Sequence, residues 1–275
     1  MTTTTPVAAP PVANPTLAGT FWALLVRDLT VLRKNLREFL PRTILQPLLL
    51  VFTFTYVFPK IGQSVGGSSG SAAFSTLLVA GVIGTAILFQ GIQSTALPLV
   101  QEIGFTREIE DRVLAPLPIE LVAIEKIVAG ALQCLLSAVI VFPIAKFVPA
   151  TPVDLQIHWA ILLTLAPLAC LFSAAIGLTF GTIFQPRSVP ILFGVIIVPM
   201  TFLGCVYYSW QSLEPIRWLQ IAVLVNPLVY ICEGFRAALT PVDHMSLWVI
   251  YSVIIAGTIG ASAVAIRFFK RRVIS

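Results

Sequence analysis

The chain has 275 residues, of which 57% are hydrophobic and only 11% are charged, against roughly 25% charged residues in an ordinary soluble domain. One soluble core of this size cannot bury so much apolar surface, so the composition excludes an ordinary soluble protein and predicts a single membrane domain. The net charge is +5. Its basic residues flank apolar runs, which indicates membrane orientation rather than nucleic-acid binding.

Residues 1–20 form the first element and are rich in Thr, Pro and Ala, with no charged side chain. A cleaved signal peptide needs a basic region before its apolar core, and this segment has none. We therefore predict a disordered tail over residues 1–20 and a single membrane domain over residues 21–275.

The segment Phe21–Phe39 is predicted to form a basic amphipathic helix. Leucines recur along it at helical spacing, while Arg27, Arg33 and Lys34 are among the charged residues that occupy the rest of its surface. Such a helix is suited to the membrane interface, with its charges toward anionic headgroups. The alternative, a surface helix of a soluble domain, requires a domain that this sequence does not contain.

Six apolar stretches follow, each near the roughly 20 residues that a helix needs to cross a bilayer. They cover about residues 39–58, 73–100, 121–148, 157–184, 189–208 and 247–268. The predicted fold class is therefore an all-α membrane protein with six transmembrane helices.

The basic residues predict the orientation of these spans. With the N-terminus inside, 13 of the 17 Lys and Arg residues fall on cytoplasmic segments and 4 on external ones. The external ones are Lys60, Lys146, Arg217 and Arg236. This asymmetry predicts a multi-pass protein of the bacterial plasma membrane with both termini in the cytoplasm.

The segment Gln101–Pro118 lies between the second and third spans and carries the densest charge in the chain. Thr106 is placed to cap a short helix that has acidic residues in its first turn and is stopped by Pro116. A short charged helix between two spans would give a partner protein a rigid point of contact. The alternative is a solvated loop whose surface ion pairs contribute little stability.

The segment Trp210–Asp243, on the predicted outer side, is too apolar for an aqueous loop, and each half is too short to span. Two short helices that enter the outer leaflet and break at Asn226 and Pro227 fit it best. Glu233 and Arg236 lie three residues apart on the second helix, at a spacing that allows an ion pair. Whether Cys205 and Cys232, near the same face, form a disulfide is left open by the sequence.

These two segments, in this order, resemble those of the permease subunits of type-2 ABC exporters, such as daunorubicin-resistance, nodulation-factor and polysaccharide export permeases. In the cytoplasmic loop the matching residues are Glu102, Gly104, Thr106, Glu108, Leu114 and Pro116. In the outer segment they are Leu224, Asn226, Pro227, Leu228 and Arg236. The resemblance covers nearly the whole chain from Phe21 to the basic tail.

The resemblance implies a dimer of permeases, either two copies or two different chains, with a cytoplasmic ATP-binding subunit that holds ATP and Mg. This chain has no G-x-x-x-x-G-K-[ST] loop, so it is not expected to be catalytic alone. The docking helix for that subunit would include Glu102, Thr106, Arg107, Glu108, Glu110, Asp111, Arg112 and Leu114. The outer gate would include Leu224, Asn226, Pro227, Glu233 and Arg236.

The substrate path is predicted from the aromatic and neutral polar residues within the first two spans. They are Phe52, Tyr56, Phe89, Gln90 and Gln93. This lining suits an amphipathic or lipid-linked molecule such as a drug, a lipid or a glycan, which the permease would export. The alternatives are helix packing through these residues, a secondary transporter and a membrane-embedded enzyme. The sequence names no individual cargo.

Overall fold

The computed structural model describes residues 16–57, 60, 71–102, 117–148, 155–184, 188 and 192–274, and these residues are almost entirely helical. The α-helices are α1 (Leu17–Lys34), α2 (Leu36–Phe52), α3 (Ser71–Gln101), α4 (Ile119–Phe147), α5 (Trp159–Ile183), α6 (Val198–Phe202), α7 (Arg217–Ala222), α8 (Pro227–Leu239) and α9 (Leu247–Ile274). Helix α2 continues into a π-helical turn, and a second π-helical turn precedes α6.

Helix α1 begins earlier and ends earlier than the sequence predicts. The side chain of Thr16 caps it by accepting a hydrogen bond from the backbone N–H of Gly19 at 3.2 Å. Residues 17–20, which we assigned to the disordered tail, are therefore its first turn. The helix ends at Lys34, and after Asn35 alone the chain enters α2, so Phe39 belongs to the first span rather than to the amphipathic helix.

Helix α3 is the centre of the bundle. Of its candidate span, 83% is buried, against 24% for the span of α2 and 17% for that of α9. It packs against α5, α4 and α8, while α2 packs mainly against α3 and α4. The molecule thus has a well-packed core with α2 at its edge.

The contact between α3 and α5 depends on glycines that let the two backbones approach. A Cβ on Gly91 would meet the backbone of Ser173 at 2.9 Å, and one on Gly177 would meet Ile92 Cα at 2.7 Å. The close approach allows Thr95 Oγ1 to donate a hydrogen bond to the carbonyl of Ala174 at 3.1 Å. Small residues that bring backbones together are the main source of helix association in lipid.

Polar contacts join the helices at both ends of the bundle. At the first, here called the basic end, Lys270 of α9 pairs with Glu120 of α4. There Arg272 donates hydrogen bonds to three carbonyls at the end of α5, of Gly181, Thr182 and Phe184, at 2.8–3.1 Å. The last carbonyls of a helix generally lack partners within it, so Arg272 caps the end of α5.

The opposite end, here called the hairpin end, is formed by α7 and α8 together with the residues that precede α5. The backbone N–H groups of Gln156 and His158 donate to the carbonyls of Leu239 and Ala238 at 3.0 and 2.8 Å. The axes of the segments Arg217–Val225 and Pro227–Leu239 differ by 99°. The predicted break at Asn226 and Pro227 is therefore confirmed.

Five helices in the described part of the chain are long and apolar enough to cross a membrane, and the count rises to six if the bent α7–α8 pair is one span. The five are Leu36–Val57, Phe74–Gln101, Ile119–Ile144, Trp159–Ile183 and Leu247–Arg272. They agree with the first, second, third, fourth and sixth predicted spans, so the predicted class of an all-α membrane protein is confirmed.

The predicted fifth span, residues 189–208, ends too late. The described helix there consists of a π-helical turn of 6 residues and α6, of 5 residues, which together rise about 16 Å. Residues 203–208 are turns, and Cys205 has a φ of 54°, in the left-handed region that helices do not use. Gly204, Cys205 and Val206 are buried in the protein, whereas Leu203 is exposed. The apolar pattern therefore continues beyond the helix mainly because these turns are packed in the core, not because a membrane-spanning helix continues.

The α3–α5 contact gives a first prediction. Gly177→Ala would place a methyl group against the backbone of α3 and is expected to lower the free energy of unfolding by about 1–3 kcal/mol. The matched control is Gly260→Ala on α9, where a Cβ meets nothing within 4 Å, so this change should leave stability equal or raise it by up to about 1 kcal/mol. Thermal unfolding in detergent measures both, and equal effects of the two changes would contradict the contact.

Candidate functional site

A cluster of buried charges joins three helical elements at the basic end. Lys126 Nζ of α4 lies 2.5 Å from Glu102 Oε1, directly after α3, and 3.6 Å from Asp28 Oδ2 of α1. Only 5% of the surface of Lys126 is exposed, and Glu102 is also buried. We call Asp28, Glu102 and Lys126 the basic-end triad.

The partners of Glu102 and Lys126 in the triad differ from the roles that the sequence predicts for these residues. Glu102 was predicted to contact the ATP-binding subunit, whereas its side chain is buried and paired with Lys126. From the sequence, Lys126 counts only as one of the 13 basic residues assigned to the cytoplasmic side. The available signal was the charged pair Glu125 and Lys126 inside an apolar run, because charges within a span are expensive and are usually functional.

A cavity of about 450 Å³ lies beside the triad, between α1, the first turn of α2, α3 and α4. Its lining combines charged and neutral polar side chains at the triad with small residues deeper in the bundle. The polar residues include Arg27, Asn35, Glu38, Ser94, Gln101 and Gln133. Helix α1 therefore rests on the core through a polar contact and does not lie on lipid alone.

Most of the predicted docking residues fall outside the described residues. They are Thr106, Arg107, Glu108, Glu110, Asp111, Arg112 and Leu114. The described chain stops at Glu102 and resumes at Leu117, which is buried. Both flanks of the predicted docking segment are thus fixed in the core.

A narrow polar seam runs between α2, α3 and α4. It is lined by Thr43, Gln46, Thr85, Phe89, Gln90, Gln93 and Ser137, among others. Thr43 Oγ1 donates to Gln90 Oε1 at 3.3 Å, so one weak hydrogen bond crosses it. The free space is about 20 Å³, which is room for roughly one water molecule. Side-chain amides and hydroxyls, which can both donate and accept hydrogen bonds, therefore face each other across the seam with almost no free space between the helices.

The five residues of the predicted substrate path separate into two groups. Phe89, Gln90 and Gln93 line the polar seam. Phe52 and Tyr56 lie away from it at the far end of α2, where their rings stack with centroids 5.0 Å apart and Phe52 is exposed. The structure thus brings together the residues on α3 and leaves the two aromatic residues outside the seam.

A second buried charge cluster holds the hairpin end together. Glu233 and Arg236 of α8 are completely buried and form the predicted ion pair, with Oε1 and Nη1 2.6 Å apart. Glu233 also accepts hydrogen bonds from the backbone N–H groups of Trp210 at 2.8 Å and Met245 at 2.9 Å. Arg236 donates to the carbonyl of Cys205. We call this arrangement the hairpin-end cluster.

Asn226 shapes the bend between α7 and α8. Its side chain accepts a hydrogen bond from the N–H of Leu228 at 3.0 Å, which caps α8, and Pro227 occupies the first helical position. The same side chain donates to the carbonyl of Met200 in α6 at 2.7 Å. Leu224 accepts a hydrogen bond from the hydroxyl of Tyr230 at 2.9 Å. All five predicted outer-gate residues thus belong to one connected hairpin.

Cys205 and Cys232 do not form a disulfide, and both thiols are free and buried. Burial is the main reason that the pKa of Cys205 is raised to about 12, and the nearby negative charge of Glu233 raises it further. The thiol of Cys205 therefore stays neutral and unreactive at physiological pH.

Comparison with known proteins gives a family match and several similar relatives. Residues 19–240, from α1 to just beyond α8, match the family described as ABC-2 type transporter. The protein described as inner membrane transport permease YadH from Escherichia coli (strain K12) is 28% identical over 220 residues, covering 78% of this chain and 82% of that protein. The protein of the same description from Shigella flexneri has the same identity and coverage.

The hairpin-end cluster gives a second prediction. Glu233→Gln would leave the buried charge of Arg236 without a carboxylate and is expected to cost about 3–5 kcal/mol of stability. The control is Glu214→Gln, at an exposed position near the same end, where a change within about 0.5 kcal/mol is expected. Chemical denaturation in detergent measures both.

The double variant Glu233→Leu with Arg236→Met tests whether the unpaired charge causes the loss. Replacing both partners of a buried pair with apolar residues removes the uncompensated charge, so this variant should be more stable than Glu233→Gln alone. A double variant less stable than the single one would contradict that explanation.

Proposed function

Because the chain belongs to the ABC-2 type transporter family, we propose that it is the permease of an exporter that moves an amphipathic or lipid-linked substrate outward across the membrane. It is a membrane-spanning subunit of an ABC transporter and a multi-pass inner-membrane protein. The observation that carries the proposal is the family match, which extends over α1, the basic-end triad, the polar seam and the hairpin.

An ATP-binding subunit is the partner that the family implies. We place its docking site on the predicted helix near Thr106–Leu114, and that subunit would hold ATP and Mg. The buried positions of Glu102 and Leu117 on either side support this site, because force applied to a segment with two fixed flanks is transmitted to the helices.

A second permease is the other proposed partner, and it would pack against α2 and α6. Both elements expose large apolar side chains, Leu45, Leu49 and Phe52 on α2, and Val198 and Phe202 on α6. The rings of Phe54 and Phe202 both approach Tyr207, with centroids 5.3 and 6.4 Å away, so the two elements are neighbours. Their combined exposed surface supports a dimer contact here.

The transport path would include the polar seam. Helix α2 has the second-lowest buried fraction of the candidate spans, and one weak hydrogen bond crosses the seam from Thr43 to Gln90. Displacement of α2 would therefore expose Gln90 and Gln93 to a passing substrate at low energetic cost. Amides offer hydrogen bonds to the polar part of an amphipathic cargo, while neighbouring apolar side chains contact its hydrophobic part.

The docking site gives a third prediction. Glu108→Arg with Glu110→Arg reverses two charges on the predicted docking helix and should abolish co-purification with the ATP-binding subunit and the coupling of ATP hydrolysis to transport. The protein itself should still fold, as judged by its thermal unfolding. The matched control reverses two exposed acidic residues at the hairpin end, Glu214→Arg with Asp243→Arg. Retained co-purification and coupling in the first variant would rule out this docking site.

The orientation gives a fourth prediction. With both termini in the cytoplasm, the basic end faces the cytoplasm and the hairpin end faces outward. A membrane-impermeant maleimide added to intact cells should label Ser212→Cys, which is exposed at the hairpin end, and should not label Arg271→Cys at the basic end. Both should react after the membrane is opened. The reverse pattern would show that the orientation is inverted.

A further inference from the structure

The basic-end triad lies next to the segment that is proposed to dock the ATP-binding subunit, so movement of that segment would reach the triad first. Glu102 directly precedes residues 103–116, the segment proposed to dock the ATP-binding subunit, so displacement of that segment reaches the described chain at Glu102. Lys126 connects Glu102 to Asp28 of α1 through distances of 2.5 and 3.6 Å. The side chains of all three residues are at most 13% exposed, so water screens these interactions weakly.

Helix α1 is in turn connected to α2 by a single residue. The N–H of Asn35 donates to the carbonyl of Val31 at 3.0 Å, and its carbonyl accepts from Glu38 and Phe39 at 3.1 and 3.0 Å. Backbone hydrogen bonds therefore continue across the break. A displacement of α1 is passed to α2, which carries Thr43 and contributes one wall of the polar seam.

We propose that Lys126 is a positioning residue that couples Glu102 to Asp28, so that displacement by the ATP-binding subunit moves α1 and, through it, α2. This inference rests on the proposed function, since it assumes a subunit that docks beside Glu102. It assigns α1 a role in coupling beyond its predicted place at the membrane interface.

The three members of the triad differ in what their removal does. Lys126→Met leaves two carboxylates buried without their lysine, so it can destabilise the fold as well as the coupling. Asp28→Asn weakens the link between Lys126 and α1 and leaves the pair between Lys126 and Glu102 in place. Asp28→Asn is therefore the sharper variant, and Lys126→Arg preserves the charge.

The experiment measures the distance between spin labels on α1 and α9 in the complex of the permease with its ATP-binding subunit. Labels at Ala23→Cys and Ala263→Cys use exposed positions, while the four native cysteines are buried and resist labelling. The complex is measured without nucleotide and with ATP plus vanadate. The unaltered triad should show a nucleotide-dependent change in distance, and Asp28→Asn should lose at least half of it.

Two comparisons separate coupling from a general effect of charge or stability. Lys270→Met removes a lysine that pairs with Glu120 at the same end but is 41% exposed, and it should keep the full change in distance. Lys126→Met should lose the change and Lys126→Arg should regain part of it. The midpoint of thermal unfolding of Asp28→Asn should remain close to that of the unaltered protein.

The outcomes have separate meanings. A full change in distance in Asp28→Asn overturns the inference and leaves the proposed function standing. An equal loss in Asp28→Asn and Lys270→Met also overturns it, because the effect is then one of net charge. If the ATP-binding subunit does not bind, or the unaltered complex shows no change with nucleotide, the proposed function fails together with the inference.

Discussion

A hydrocarbon environment offers no hydrogen bonds, and this constraint governs the two charge clusters inside the bundle. The chain buries charge at both ends, and in each case the structure supplies partners. Lys126 lies between two carboxylates, and Glu233 accepts hydrogen bonds from Arg236 and from two backbone N–H groups. Arg272 satisfies the carbonyls that end α5. The polar groups thus fix how the ends of apolar helices are arranged.

Between these ends, packing is uneven in a way that suits a transporter. Helix α3 is enclosed by α4, α5 and α8, and Gly91 and Gly177 allow its backbone to touch that of α5. Displacing α5 from α3 would open voids throughout this contact, which is costly. Helix α2 has few such contacts and faces the core across the polar seam. It can therefore move at lower cost than α3 or α5, while the enclosed helices serve as a fixed frame.

Local sequence patterns predicted those features of the fold that the membrane environment determines, which are the long apolar helices and the break between the two short ones. Apolar stretches located the five long helices, and Asn226 with Pro227 located the bend of the hairpin. Residues 203–208 are also largely apolar but form turns, of which Gly204, Cys205 and Val206 are buried, so hydropathy alone extended the fifth span too far. The site was harder to predict. The spacing of Glu233 and Arg236 indicated their pair, whereas Trp210 and Met245 join the cluster only through the tertiary fold.

The two charge clusters differ in what they permit. Besides its ion pair, the hairpin-end cluster is bonded to the backbone at Cys205, Trp210 and Met245, so α8 and the loops on either side of it are held as one body. Separating α8 from the segment with Cys205 and Trp210, or from Met245, would break buried hydrogen bonds of this cluster. Lys126, by contrast, joins Glu102 and Asp28 through side chains alone, so the basic-end triad links separate helical elements without fixing a loop backbone. Movement at the hairpin end is therefore expected to carry the hairpin as a unit, while at the basic end a shift of one helical element is passed to the next through side-chain ion pairs.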